Sequence, residues 1–159
     1  MQKIFLAALF LIGLVSCTNA DQNEFLLAKN QVGLVNANTQ LYELETLFKN
    51  DSVVRMDLKD RFRTKIQDVE IYNKEGEKLL VLEPRKASDS TSTFKQIQVV
   101  SPLFTTEKGF GTESTFKDIY QHYEIGKIQN TFMSVIVTIK DIDAFVTINK
   151  KQLPEALRT

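Results

Sequence analysis

The sequence predicts an α+β domain, a largely antiparallel sheet with one or two short helices packed on it. Three observations point there. Runs such as Phe94-Lys95-Gln96-Ile97-Gln98-Val99 place apolar side chains among polar ones in the manner of a half-buried strand. Helical spacing is confined to two short stretches, one carrying Leu41, Leu44, Leu47 and Phe48 and the other covering residues 115–123. Brief polar turns such as Asn73-Lys74-Glu75-Gly76-Glu77 separate the strands, and links that short join antiparallel neighbours.

Taken in order, residues 24–35 are rich in β-compatible side chains, and Asn38 or Thr39 can then cap the first helix with a side-chain oxygen. Residues 52–57 read as a strand. Residues 66–72 and 78–83 flank the glycine-bearing turn as the arms of a hairpin, with Val69 and Ile71 on one face. Residues 84–93 are Ser/Thr-rich and aperiodic, which predicts an exposed connection. A second series opens with the strand at 94–99 and continues through a glycine loop at 105–114, the second helix, and strands at 125–130, 132–139 and 144–148. Residues 150–157 read as a final turn or helix with Pro154 near its start, where a missing N–H costs nothing.

The two helix starts resemble each other. Thr39-Gln40-Leu41-Tyr42-Glu43-Leu44 and Ser114-Thr115-Phe116-Lys117-Asp118-Ile119 share a hydroxyl residue and two apolar positions, and each helix follows a glycine and precedes three strands. Two readings fit this recurrence. One is a tandem strand-helix-three-strand duplication; the other is independent amphipathic patterning imposed by the same packing rules. Both give an α+β class.

Composition removes several functional classes. The chain has 159 residues, 43% hydrophobic and 25% charged, which favours one folded domain over a disordered polymer. Twenty basic residues balance twenty acidic ones, so no net positive charge favours nucleic acid. Cys17 is the only cysteine and His122 the only histidine, which excludes disulfides, cysteine-rich zinc sites and multi-histidine metal centres. No cofactor is implied.

The N-terminus carries the most specific motif. Met1-Gln2-Lys3 is a short basic start, and residues 4–15 form an apolar run interrupted only by Gly13, the layout of a secretory signal. Twelve residues fall short of the ~20 that a membrane-spanning helix needs. Leu14-Val15-Ser16-Cys17 then resembles the lipobox of bacterial lipoproteins. That resemblance implies a signal peptide at 1–16, an acylated Cys17 held by membrane lipid, a polar tether at 17–24 and a globular domain at 25–159. Thr18 stands where inner-membrane lipoproteins often carry Asp, so the resemblance implies the outer membrane. Asp21 and Glu24 are similar to the acidic tether of Bacteroidetes lipoproteins, and the mature pattern resembles their small envelope α+β members of no assigned activity.

Candidate chemistry is sparse. The loop Lys108-Gly109-Phe110-Gly111-Thr112-Glu113-Ser114 leads into a helix, the arrangement that elsewhere cradles phosphate on backbone N–H groups. It lacks the Gly-Lys-Ser/Thr ending of one phosphate-binding template, and Ser114 stands where the dinucleotide template has its third glycine. Lys108, Gly109, Gly111, Thr112 and Ser114 are therefore candidate ligand residues, against a structural loop in which Thr115 and Asp118 form a capping box. His122 beside Tyr123 and Glu124 could serve as a general base, but no nucleophile motif accompanies it. Asp141 and Asp143 read as turn formers, and Arg55, Lys59, Arg61, Arg63 and Lys65 as a basic sheet edge or a contact for anionic lipid. No catalytic or metal-ligating residue is assigned. The expectation is a lipid-anchored, non-enzymatic binding or envelope-assembly module with an envelope protein partner. A small-ligand or inhibitor-type binder and a His122 hydrolase are the alternatives.

Overall fold

Antiparallel pairing dominates the chain. A computed structural model describes residues 23–55 and 68–155, and among them ten strands form three sheets with few, short helices. The expected signal peptide, Cys17, residues 18–22 of the tether and residues 59–65 of the basic cluster lie outside the described residues.

The β-rich start is a small meander of β1 (Leu27–Ala28), β2 (Gln31–Val32) and β3 (Val35–Asn36). Gly33 makes it possible. Its φ is +56°, and a Cβ there would lie 2.2 Å from the Glu24 carbonyl oxygen, so only glycine fits. A 3₁₀ turn at Leu41–Glu43 runs directly into α1 (Leu44–Leu47). The N-cap is Gln40 rather than Asn38 or Thr39. Thr39 is buried and spends its hydroxyl on the Asn36 N–H, 2.9 Å away, closing the loop that leaves β3.

Next come β4 (Ser52–Arg55), β5 (Val69–Tyr72), β6 (Lys78–Pro84) and β7 (Phe94–Val99), hydrogen-bonded in that order. Val69 and Ile71 stand opposite Leu82 and Leu80, and all four are buried. The strand at 94–99 does not open a second series: it is the fourth strand of this sheet, with Ile97 and Val99 opposite Leu82 and Leu80. The link at 85–93 is not simply exposed either. Its Ser92 and Ser90 carbonyls accept the Leu41 and Tyr42 N–H groups at 2.9 and 3.0 Å, which satisfies two donors that a helix start leaves without internal partners. Ser92 is buried as a result. The sheet, α1, β3 and Phe104 enclose one core of ten buried residues, among them Leu44, Phe48, Ile71 and Leu80.

The second half has α2 (Phe116–His122), β8 (Ile125–Asn130), β9 (Ser134–Ile139) and β10 (Ala144–Asn149), with β9 central. Its core cluster holds only four buried residues, Phe110, Ile119, Tyr123 and Ile139. β9 starts two residues later than its apolar run suggests, because the Thr131 N–H and hydroxyl both bond the Ser134 carbonyl and tighten the turn. Phe132 and Met133 are left at the tip, 96% and 60% exposed. At the end, Asn149 caps a 3₁₀ turn at Lys150–Gln152, and Pro154 lies beyond that turn rather than at its start.

The segments around the two helices are built alike, at positions whose numbers differ by 75 (115 against 40). Asn36 N–H donates to Thr39 Oγ1 at 2.9 Å, and Gly111 N–H to Ser114 Oγ at 3.0 Å. Gln40 N–H meets the Glu43 carboxylate at 2.6 Å, and Thr115 N–H the Asp118 carboxylate at 2.7 Å. Phe48 N–H and Tyr123 N–H close the helices on Leu44 and Ile119, each at 2.9 Å. The buried residues correspond too: Val35, Leu44 and Phe48 against Phe110, Ile119 and Tyr123.

Candidate functional site

Residues 105–114 fold as a tight loop at the junction between the halves. Thr105 bridges Leu26 in parallel and Gly111 antiparallel. A Cβ on Gly111 would lie 2.6 Å from the Phe104 carbonyl oxygen, so that glycine is required for close backbone approach. Gly109 has φ +76° with open space around it and is required for its backbone conformation alone. Buried Thr106 holds the centre, sharing a hydrogen bond with Tyr123 Oη at 2.5 Å and accepting the Phe110 N–H at 3.1 Å.

The loop's donors are largely committed. Gly109 N–H bonds the Thr106 carbonyl, Phe110 N–H the Thr106 hydroxyl, Gly111 N–H the Ser114 hydroxyl, and Ser114 N–H the Gly111 carbonyl. A phosphate cradle needs such groups turned outward, and these four are turned inward. The Lys108 ammonium bonds the His122 carbonyl at 2.7 Å and sits 4.7 Å from the centre of the Tyr123 ring. A cation there satisfies the last turn of α2.

Lys108, Gly109, Gly111, Thr112 and Ser114 nevertheless line a single depression of about 410 Å³, together with Asp118 and His122. Asp118 belongs to the capping box. The Thr115 hydroxyl and N–H, both 2.7 Å away, hold its carboxyl below the usual carboxylate range. His122 is exposed at the end of α2, and its imidazole has no side-chain hydrogen-bond partner among the described residues. Asp141 accepts the Glu124 N–H at 3.1 Å, and Asp143 takes a left-handed turn conformation with φ 51°, so the two aspartates do separate structural work. Arg55 pairs with Glu45 at 2.5 Å. No group of three His, Cys, Asp or Glu side chains among the described residues could hold a metal ion.

A larger concavity of about 790 Å³ lies between the halves, and sequence reasoning did not find it. All six residues of β7 line it, as do Ala144 to Thr147 of β10 without a gap. Successive side chains of a strand point to opposite faces, so unbroken runs mean that strand edges, not faces, border the groove. Gln31, Val32 and Asn36 contribute from the small meander. The signal for it was long-range: β7 and β10 each end a sheet, which local periodicity cannot reveal. Comparison with protein-family models, with curated proteins and with solved structures found no match to this chain.

Proposed function

We propose that this protein is a lipid-anchored binding or assembly module of the bacterial cell envelope, tethered through Cys17 at the outer membrane and acting without catalysis on a protein partner. The observation that carries the binding role is the groove between the halves, whose volume of about 790 Å³ lies within the ~300–1,000 Å³ range of ligand-binding clefts. The anchor rests on Leu14-Val15-Ser16-Cys17 after a basic start and an apolar run. The segments related by 75 positions support a further reading: the domain arose by tandem duplication of one unit, the first copy having acquired β7.

The test is mild crosslinking of the full, C-terminally tagged chain in its native envelope, followed by purification, with Cys17→Ala as the unanchored control. A stoichiometric partner recovered from the native chain and lost from the control is the expected result. Labelled palmitate should enter the native chain and not the variant. Recovery of the chain alone in both samples would end the assembly reading. A small-ligand role is the second reading, favoured by the shared depression that the five loop residues line with Asp118 and His122.

A further inference from the structure

The phase of the hydrogen-bond ladders fixes what the groove presents. Thr131 N–H bonds the Ser134 carbonyl, and Gln129 stands opposite Ile136, so the even-numbered residues of β9 exchange bonds with β8. Its odd-numbered residues then serve β10, through the pairs Val135↔Ile148, Val137↔Val146 and Ile139↔Ala144. The Lys150 N–H bond to the Met133 carbonyl continues that alternation. Phe145 and Thr147 must therefore turn their N–H and C=O groups away from β9, along the edge that borders the groove.

A second observation concerns how the sheet edges are guarded. Natural proteins blunt open edges with charges, proline, bulges or short strands. β4 carries Arg55, paired with Glu45. β8 carries Gly126 and Lys127 and a register shift between Ile125 and Ile128. β10, Ala144-Phe145-Val146-Thr147-Ile148-Asn149, has no charge, glycine or proline and pairs with β9 without a shift. The outer edges are protected, and the edge inside the groove is open.

We infer that the groove takes an extended peptide segment of a partner protein, which adds as a strand to the free edge of β10 while β7 forms the opposite wall. Main-chain hydrogen bonds to Phe145 and Thr147 supply the affinity, as in other strand-addition complexes. A second copy of this chain is disfavoured as occupant, because its own β10 borders the same groove, with β7 on the other side. Gln31, Asn36, Gln96 and Gln98 line the groove beside Val32 and Ile97, and its charged residues leave little net field, since Lys95 is spent on Glu83 at 2.8 Å and Arg85 is offset by Asp143; such a lining suits an uncharged segment of alternating apolar and polar residues. This inference rests on the binding reading and specifies its partner.

The experiment uses the full isotopically labelled chain with a blocked ten-residue peptide of alternating valine and serine, and with the same peptide N-methylated at every residue. The plain peptide should slow amide exchange at Phe145 and Thr147, and the methylated one should not. Thr147→Pro deletes one outward donor but no ladder bond, so it should weaken binding about tenfold. Protection at Val146 and Ile148 reports whether the proline variant keeps its sheet; should it not, the two peptides on the native chain decide. Equal binding of both peptides overturns strand addition. Peptide shifts at Gln96 and Gln98 without protection at Phe145 and Thr147 also overturn it, yet leave the binding reading intact. No response to the peptide overturns strand addition, and the crosslinking result then decides separately whether the binding reading survives.

Discussion

The two halves of this molecule start their helices with the same hydrogen bonds and then spend their apolar residues differently. The first half encloses ten buried residues between a four-stranded sheet, α1 and Phe104. Among the described residues the second buries five apolar ones, four of them in one cluster, and leaves Phe116, Tyr120, Ile128, Phe132, Met133 and Phe145 40% exposed or more, against Tyr42, Val54 and Leu103 in the first. Burial drives folding at roughly 25 cal/mol per Å² of apolar surface, so the first half holds most of the stability. Apolar surface left in water is a standing cost that monomeric proteins usually limit. The contrast teaches a division of labour in packing: one half holds the larger core, and the other leaves more apolar surface in water, which the proposed binding role would use.

The comparison can be broken most decisively in the cores. Leu80→Ala removes a fully buried side chain from the larger cluster and should cost about 2–5 kcal/mol, lowering the urea midpoint of the whole chain. Ile139→Ala, equally buried in the smaller cluster, should release β8 to β10 to amide exchange while β5 to β7 stay protected. One cooperative transition with uniform exchange in both variants would mean that the halves are a single folding unit. At the junction, Gly111→Ala drives a Cβ into the Phe104 carbonyl and should cost about 1–3 kcal/mol. Gly109→Ala meets open space and should cost only the ~1–2 kcal/mol of a left-handed backbone. Thermal melts that reversed this order would place the strain elsewhere.

The helix starts offer the finest adjustment. Thr115→Ala should cost about 1 kcal/mol as the loss of a cap. The pH dependence has a definite sign. Folding lowers the pKa of Asp118 from its ordinary 3.8 through the bonds from Thr115, so the capping contribution is complete above that value and is lost as pH falls through the folded one. The stability difference between the native chain and Asp118→Asn should therefore shrink below about pH 4. A difference unchanged from pH 7 to pH 2 would show that the carboxylate contributes nothing.

Local chemistry was legible in the sequence, and long-range pairing was not. The alternation at Val69 and Ile71 located β5, and Thr115 with Asp118 located the start of α2. Thr39 misled about the first cap because a hydroxyl at that position can serve either the helix or the preceding loop, and the loop won. β7 was recognised as a strand but assigned to the wrong series, since nothing local in Phe94–Val99 says that Ile97 will face Leu82. The five loop residues do share one depression. Glycine spacing alone, however, could not show that the N–H groups of Gly109, Phe110, Gly111 and Ser114 are spent inside the loop. The groove is not legible in local sequence because it is a relation between two sheet edges.

The parallel bridge between Leu26 and Thr105 also has a mechanical meaning. Thr105 N–H bonds the Phe25 carbonyl at 3.0 Å and Leu27 N–H bonds the Thr105 carbonyl at 2.8 Å, while the Phe25 and Phe104 rings meet edge to face at 5.2 Å. Tension applied through the N-terminal segment thus reaches residues 104 and 105 early, two-thirds of the way along the sequence and at the seam between the halves. Pulling on this chain would load that seam before it peeled a strand from either of the two larger sheets, and under the proposed anchoring a tether held at one surface and a partner held in the groove would be coupled through two hydrogen bonds and one ring contact.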